Sequence, residues 1–293
     1  MTQGAPIPPR PAGWWRVLAT IGQLRESWIG LLGAALVLFW VLAALLAPRL
    51  TAFPPQATLV PFAPPGTTYT AGGRFWLGTD HLGRDILSRL LYGARTVLLY
   101  APLATACAYS VGIPLGLVAG YKGGWVDEVL CRLSDVILSF PVLVLYIMII
   151  ATVGASGVNM ILAIIFASVP GIMRLVRGLA LEVCQRDYVA AAQTRGEALF
   201  YLLGIEVLPN IKGPLLVDAC LRLGYVVITI GVLGFLGLGL PPPSPDWGSM
   251  LNETRTMAQA FPWMALFPCL AIASLVLGLN LLADGLRDME RQR

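Results

Sequence analysis

Residues 186–210 read RDYVAAAQTRGEALFYLLGIEVLPN, a polar, helix-prone island set between two long apolar runs. Three consecutive alanines, Ala190, Ala191 and Ala192, favour helix and let another surface approach closely. Gly196 follows, a residue able to take the left-handed conformation that ends one helix before another begins. An amphipathic stretch then closes on Leu208, Pro209 and Asn210. The expectation is two short helices at an angle, the first with a small-residue face, where a membrane-embedded protein can be gripped by a soluble partner.

The chain around the island is built for a bilayer. Of its 293 residues 57% are hydrophobic and only 12% charged, with a mean hydropathy of +0.75; soluble domains carry about a quarter charged residues. A helix needs about 20 largely apolar residues to cross the hydrocarbon core. Six segments qualify: Trp28 to Ala47, Thr96 to Ala119, Leu130 to Val153, Val158 to Ile172, Leu215 to Leu240 and Met264 to Leu282. Pro170 and Arg174 interrupt the fourth. The expected fold class is therefore all-α, a polytopic membrane protein with six transmembrane helices. It divides into an N-terminal segment 1–27, a first span 28–47, a loop 48–95, a core of five spans 96–284 that contains the island, and a tail 285–293. No small-residue cleavage site follows the first apolar run, which reads as a retained span.

Six spans put both termini on one side, and basic residues decide which, because short cytoplasmic segments carry an excess of Lys and Arg. With a cytoplasmic N-terminus that side holds thirteen basic residues, among them Arg174, Arg177, Arg186, Arg195 and Lys212, against six outside, with Arg222 inside the fifth span. The count predicts cytoplasmic termini and a cytoplasmic island. The external loop 48–95 begins rich in Pro, Gly and Thr. It ends in GTDHLGRDILSRLLYGART, where Ile86, Leu87, Leu90 and Leu91 stand against Arg84, Asp85, Ser88 and Arg89 as in an interfacial amphipathic helix that leads into the second span. The last external loop, 241–263, opens on a proline block that stops the fifth span. Trp247 and Trp263 near its ends read as headgroup anchors, or as residues at the mouth of a translocation path.

Several chemistries are excluded. A phosphate-binding loop needs glycine directly before lysine, and the two lysines, Lys122 and Lys212, follow Tyr121 and Ile211. No basic cluster interleaved with aromatics points to nucleic acid. The five cysteines are isolated, and the single histidine, His81, is too little for a conventional histidine metal site; it reads as a solvated or capping residue. The intramembrane acids Asp135 and Asp218 each have a same-face arginine, Arg132 and Arg222, and read as structural pairs. Gly231, Gly234 and Gly237 recur every three residues and serve close helix packing, or line a pore. Pro141 and Pro170 mark kinks. No catalytic residue, cofactor site or metal site emerges.

The island also resembles the coupling motif of ABC importer permeases, in which a Glu-Ala-Ala triplet, a glycine four residues after its last alanine, and a closing Ile-x-Leu-Pro contact an ATPase. Here the triplet is Ala190-Ala191-Ala192, the glycine is Gly196 and the close is Glu206-Val207-Leu208-Pro209. Ala190 departs from the usual Glu and Glu206 from the usual Ile. FWLGTDHLGRDILSRLLYGARTVL at 75–98, RLVRGLALEVCQRDYVAAAQTRG at 174–196 and LGFLGLGLPPPSPDWGSML at 233–251 are similar to the second, C-type subunit of the dipeptide, oligopeptide and nickel permease group.

That resemblance implies a type I ABC importer permease fold in the bacterial cytoplasmic (inner) membrane. It implies half a channel paired with a second homologous permease, two cytoplasmic ATPases that bind ATP and Mg, and an external solute-binding protein. The implied coupling residues are Asp187, Tyr188, Ala190, Ala191, Ala192, Arg195, Gly196, Leu208 and Pro209. The implied function is import of di- or oligopeptides, with no enzyme activity in this chain. Alternatives are nickel or another small solute on the same architecture and, from other classes, an ion-coupled carrier or channel, or a structural or signalling subunit.

Overall fold

A computed structural model describes residues 27–70, 72–241 and 244–291. The N-terminal segment 1–27, except Ser27, and the end of the tail lie outside them. The elements are α1 (Trp28–Leu50), a two-stranded hairpin of β1 (Thr67–Thr68) and β2 (Arg74–Phe75), α2 (Ile86–Lys122), α3 (Gly124–Leu138), α4 (Val142–Val153), α5 (Gly157–Cys184) and α6 (Asp187–Thr194). They continue with α7 (Leu199–Tyr201), a π-helical segment Leu202–Val207, α8 (Leu208–Phe235), α9 (Trp247–Thr254) and α10 (Trp263–Arg291).

Five stretches are long and apolar enough to cross a membrane, and α3 with α4 forms a further pair bent by 84°. The packing of α2 on α5 shows that this pair is one broken crossing. Gly112, Gly116 and Gly120 on α2 leave no room for side chains, because a Cβ there would lie 2.8 Å from Ile172 Cβ, 2.9 Å from Val176 Cγ1 and 2.8 Å from Ala180 Cβ. The numbers rise together, so the two helices run parallel, at the close approach that small residues permit. Gly157, at the start of α5, lies against Tyr100. Between Lys122 and that level lie 22 residues of helix, about 33 Å, which α3 and α4 must climb. The break falls at Ser139-Phe140-Pro141, with Pro141 at φ −57° before the first turn of α4, because proline lacks an N–H and disfavours helix in the preceding residue.

The expected fourth span, ending at Ile172, is too short. Helix α5 runs through Pro170 to Cys184, and its charges persist because α3 neutralises them: Arg177 pairs with Asp127 and Arg174 with Asp135. Asp135 is therefore not the partner of Arg132, which bonds Glu128 instead at 2.6 Å. Asp218 and Arg222 do pair, at 2.6 Å. The amphipathic segment after residue 84 does lead into the second span, as expected, but it does not lie at an interface. It forms the first turns of α2 and is enclosed by protein, with Ile86, Leu90, Leu91 and even Arg89 buried.

Helix α1 packs antiparallel on α10 through Gly33 against Gly278 and Gly30 against Gly285. Leu31, Leu38, Phe39, Leu42 and Leu45 stay exposed on its far side. The alternation of spans gives the bundle two ends. One, the loop end, carries the described residues of 50–86 and 236–263; the other, the island end, carries the start of α1, the α2–α3 turn and residues 185–207. Each has its own apolar cluster, one around Trp40, Leu91, Leu233 and Trp247, the other around Tyr109, Val176, Leu203 and Val207.

Candidate functional site

At the island end, α6 is a helix of 8 residues opened by the extended backbone of Arg186. Asp187 sits in its first turn, where a negative charge favours the helix dipole. Only Val189 and Ala192 of α6 are buried, and Val189 joins the apolar cluster with Leu203 and Val207. Asp187, Tyr188, Ala190, Ala191, Arg195 and Gly196 are exposed. The alanine triplet is thus split: Ala192 seats the helix, while Ala190 and Ala191 present bare backbone-like surface outward. Gly196 takes φ +76° with open space around its Cα, the left-handed turn that releases the chain from α6. Arg195 leans across that turn toward Glu197 (3.4 Å) and Glu206 (4.0 Å), so the glutamate at 206 has a local partner. Exposed as this cluster is, its pairs contribute little stability.

The second part of the island differs from expectation. Leu208 and Pro209 do not close a short helix; the chain from Leu199 to Phe235 is one 37-residue helical stretch that becomes the fifth span. The reason lies in Pro209, whose ring clashes with the carbonyl four residues earlier in a regular α-helix. The preceding turn widens, and Leu208 N–H bonds to Leu203 O, five residues back. Leu208 is half-buried and Pro209 exposed. Phe200, which the sequence reading did not single out, stands 88% exposed, with Ile205 exposed on the next turn. Its signal was present: Phe200, Tyr201 and Ile205 are apolar residues of the amphipathic stretch with no buried counterpart.

Gly231, Gly234, Gly237 and Trp247 belong to the loop end, and the structure assigns them to packing. Gly231 and Gly234 receive α9 directly, since a Cβ on Gly248 would lie 2.9 Å from Gly234 Cα. Gly237, at φ +77°, ends α8 with Leu238 N–H on Leu233 O at 2.8 Å, the C-terminal glycine cap. Trp247 is not at the headgroups. It is fully buried, its Nε1–H donates to Leu90 O at 2.9 Å, and its ring meets Trp40 edge-on at 4.9 Å. Asp246 caps α9 by accepting from Ser249 N–H at 2.9 Å. Burial raises its carboxyl to a pKa of about 6, against the partial relief of backbone N–H groups of Ser249 and Gly248.

A four-charge clasp completes this end. Arg89 Nη1 donates to Asp80 Oδ2 at 2.6 Å and to Glu253 Oε2 at 2.8 Å, and Arg84 also bonds both acids. It joins the loop before α2 to α9, across more than 160 residues of sequence. Burial would raise the Asp80 carboxyl, but the Arg84 backbone N–H and the two guanidinium charges hold it below the ordinary value. His81 lies close enough to Asp80 and Glu253 for the three to face one ion. The arginines already neutralise both carboxylates, so the donor set does not suit a metal.

The fold is that of a mostly helical, multi-pass membrane protein with one seated but outward-facing helix at its island end. The chain matches the family described as binding-protein-dependent transport system inner membrane component over residues 112–293, and it belongs to that family, a multi-pass protein of the bacterial inner membrane. It is 36% identical over 266 residues to the dipeptide transport system permease protein DppC of Alkalihalophilus pseudofirmus, covering 91% of this chain and 86% of the relative. It is 39% identical to the di/tripeptide transport system permease protein DppC of Pseudomonas aeruginosa over 90% of each chain. The glutathione transport system permease protein GsiD of Pectobacterium atrosepticum is 42% identical over 73% of this chain and 71% of its own length.

Proposed function

We propose that this chain is the transmembrane subunit of an ATP-driven importer of di- or oligopeptides. It forms half of the translocation pathway, paired with a second homologous permease, and receives substrate from an external solute-binding protein. Two cytoplasmic ATPases hold the ATP and Mg, and the chain itself catalyses nothing. In this reading the island end is cytoplasmic, as the excess of basic residues there favours, and an ATPase groove takes up α6 through Ala190, Ala191 and the neighbouring Tyr188 and Phe200.

The observation that carries the reading is the construction of α6: anchored inward by Val189 and Ala192, bare on its outer face, and followed by a helix that continues into the fifth span. A push on α6 is delivered to α8 through one turn at Gly196 and the π segment. The test is uptake of a labelled dipeptide into proteoliposomes holding the whole transporter with its binding protein. Uptake that requires ATP on the α6 side, and stops when the ATPases are left out, is expected. Uptake without the ATPases would overturn the proposal.

A further inference from the structure

Two exposed arginines near the loop end, Arg49 of α1 and Arg95 of α2, form no ion pair among the described residues. Arg95 is latched to α1. Pro48 offers no N–H to the carbonyl of Ala44 four residues before it, and Arg95 Nε–H donates to that oxygen at 2.6 Å, with Nη2 3.5 Å from Leu45 O. The guanidinium carbon stands 5.3 Å from the Tyr92 ring centre. Its Nη1 has no hydrogen-bond partner among the described residues. Arg49 comes to the same level from the other direction, because a helical side chain covers the turn before its own Cα, which for Arg49 is the turn of Leu45. The two helices are antiparallel, so Arg49 leans away from the loop end and Arg95 toward it.

That level is the border of the bilayer. Trp28, 73% exposed at the start of α1, suits the opposite headgroup region, and from Trp28 to Leu45 the helix rises about 26 Å through a hydrocarbon core about 30 Å thick. A groove of about 420 Å³ opens between α1 and α2. Val41 and Leu45 of α1 and Leu98 and Pro102 of α2 line it, and Val227 of α8 and Leu275 of α10 form its buried floor. Arg95 is the one polar residue of the lining. In a bilayer an apolar groove of this kind accepts an acyl chain of any lipid. The arginines add a choice, since a guanidinium pairs with phosphate through charge-assisted hydrogen bonds and a second cation at the same level favours a headgroup with net negative charge.

We propose that the groove between α1 and α2 is a binding site for one anionic phospholipid. Its acyl chain fills the groove, its phosphate meets Arg95 and its headgroup lies beneath Arg49, so that the lipid helps fasten α1 to the bundle. The site depends on the membrane fold alone and not on what the transporter carries.

The experiment places the purified whole transporter in micelles containing equal amounts of phosphatidylglycerol and phosphatidylcholine with the same chains, and counts retained lipids by native mass spectrometry. Wild type is expected to retain phosphatidylglycerol with a preference of about tenfold, the factor that one charge-assisted pair supplies. Arg49→Gln changes an exposed side chain and leaves the latch on Ala44 intact; it should lower the preference by about threefold. Arg49→Gln with Arg95→Gln should lose one phosphatidylglycerol for each copy of this subunit. Val41→Trp, which fills the groove and keeps both arginines, should lose the same one. Glycerol 3-phosphate, the phosphate without the chains, should not displace it. A wild type without preference, or an Arg49→Gln or double variant with the wild-type count and preference, would overturn the site. Retention in Val41→Trp, or displacement by glycerol 3-phosphate, would overturn the seating of a chain in the groove.

Discussion

At the loop end of the bundle α9 is pinned from three sides: glycine backbones of α8 below it, the Trp247 indole in a slot between α1 and α2, and Glu253 on two arginines. At the island end α6 is held through Val189 and Ala192, and among the described residues a side chain added at Gly196 in the following turn would meet open space. The two regions join the same helix, α8, at its opposite ends. The proposed coupling needs a lever with one end fixed and the other free to be driven, and the contrast in packing is what that proposal draws on. It follows that substitutions at the loop end should cost stability, whereas those at the island end should cost coupling at unchanged stability.

The strongest test strikes the clasp. Arg89→Met keeps the length of the side chain but leaves Asp80, buried at 2% exposure, with Arg84 alone. Breaking a buried pair from one side costs about 3 kcal/mol, so the melting temperature of the purified transporter should drop by about 5–10 °C. A melting temperature unchanged by this substitution would mean the loop end is not the fixed one.

Gly196→Val comes next. A β-branched residue forced into the left-handed region costs about 1–2 kcal/mol, which the exposed turn releases by changing conformation and re-aiming α6. ATP-driven uptake should fall by about tenfold, the factor that 1.4 kcal/mol commands, while the melting temperature stays within about 2 °C. Unchanged uptake would remove the turn from the coupling path. Phe200→Ser probes the same surface more gently. Among the described residues none covers that ring, so stability should hold and uptake fall by about threefold, of order 0.7 kcal/mol. A marked loss of stability would show that Phe200 packs within the subunit.

The sequence exposed the island well, because a polar stretch between apolar runs is a local signal, and Gly196 has the positive φ its position demanded. The fourth span reads short in the sequence because Pro170 and Arg174 interrupt it, and no local pattern announces that Asp135 arrives from α3 to pair with Arg174. Glu253 and Arg89 are likewise 164 residues apart, so the clasp could not be read from spacing. Trp247 was misplaced for the same reason: an indole near a span end is ordinarily interfacial, and only the slot opened by Gly93 on α2, where any Cβ would strike the ring, draws it inside. The repeat Gly112, Gly116, Gly120 was different. Its four-residue spacing is a local sign of close helix packing, although it does not name α5 as the partner.

The smallest effect tests whether the loop end is optimised as well as fixed. Asp246 is 1% exposed, its Oδ1 has no hydrogen-bond partner among the described residues, and its pKa is raised from 3.8 to about 6. A carboxyl raised on folding binds its proton more tightly in the folded state. Its ionisation therefore costs stability as pH rises from about 4 through about 6, and the full cost applies above that. Asp246→Asn retains an oxygen for the Ser249 N–H, as good an N-cap as aspartate, without the charge. The variant should melt about 1–3 °C above wild type at pH 7.5, and the gap should shrink as pH falls through about 6 and close below about pH 4, where the carboxyl is protonated in folded and unfolded chains alike. Asp80 titrates the other way, its stabilisation being lost as pH falls below the ordinary carboxylate range, but it is common to both proteins and cancels in the difference. A gap that widens toward low pH would place the charge of Asp246 in a stabilising contact, and the loop end would then owe its rigidity to a fifth charge as well as to the clasp.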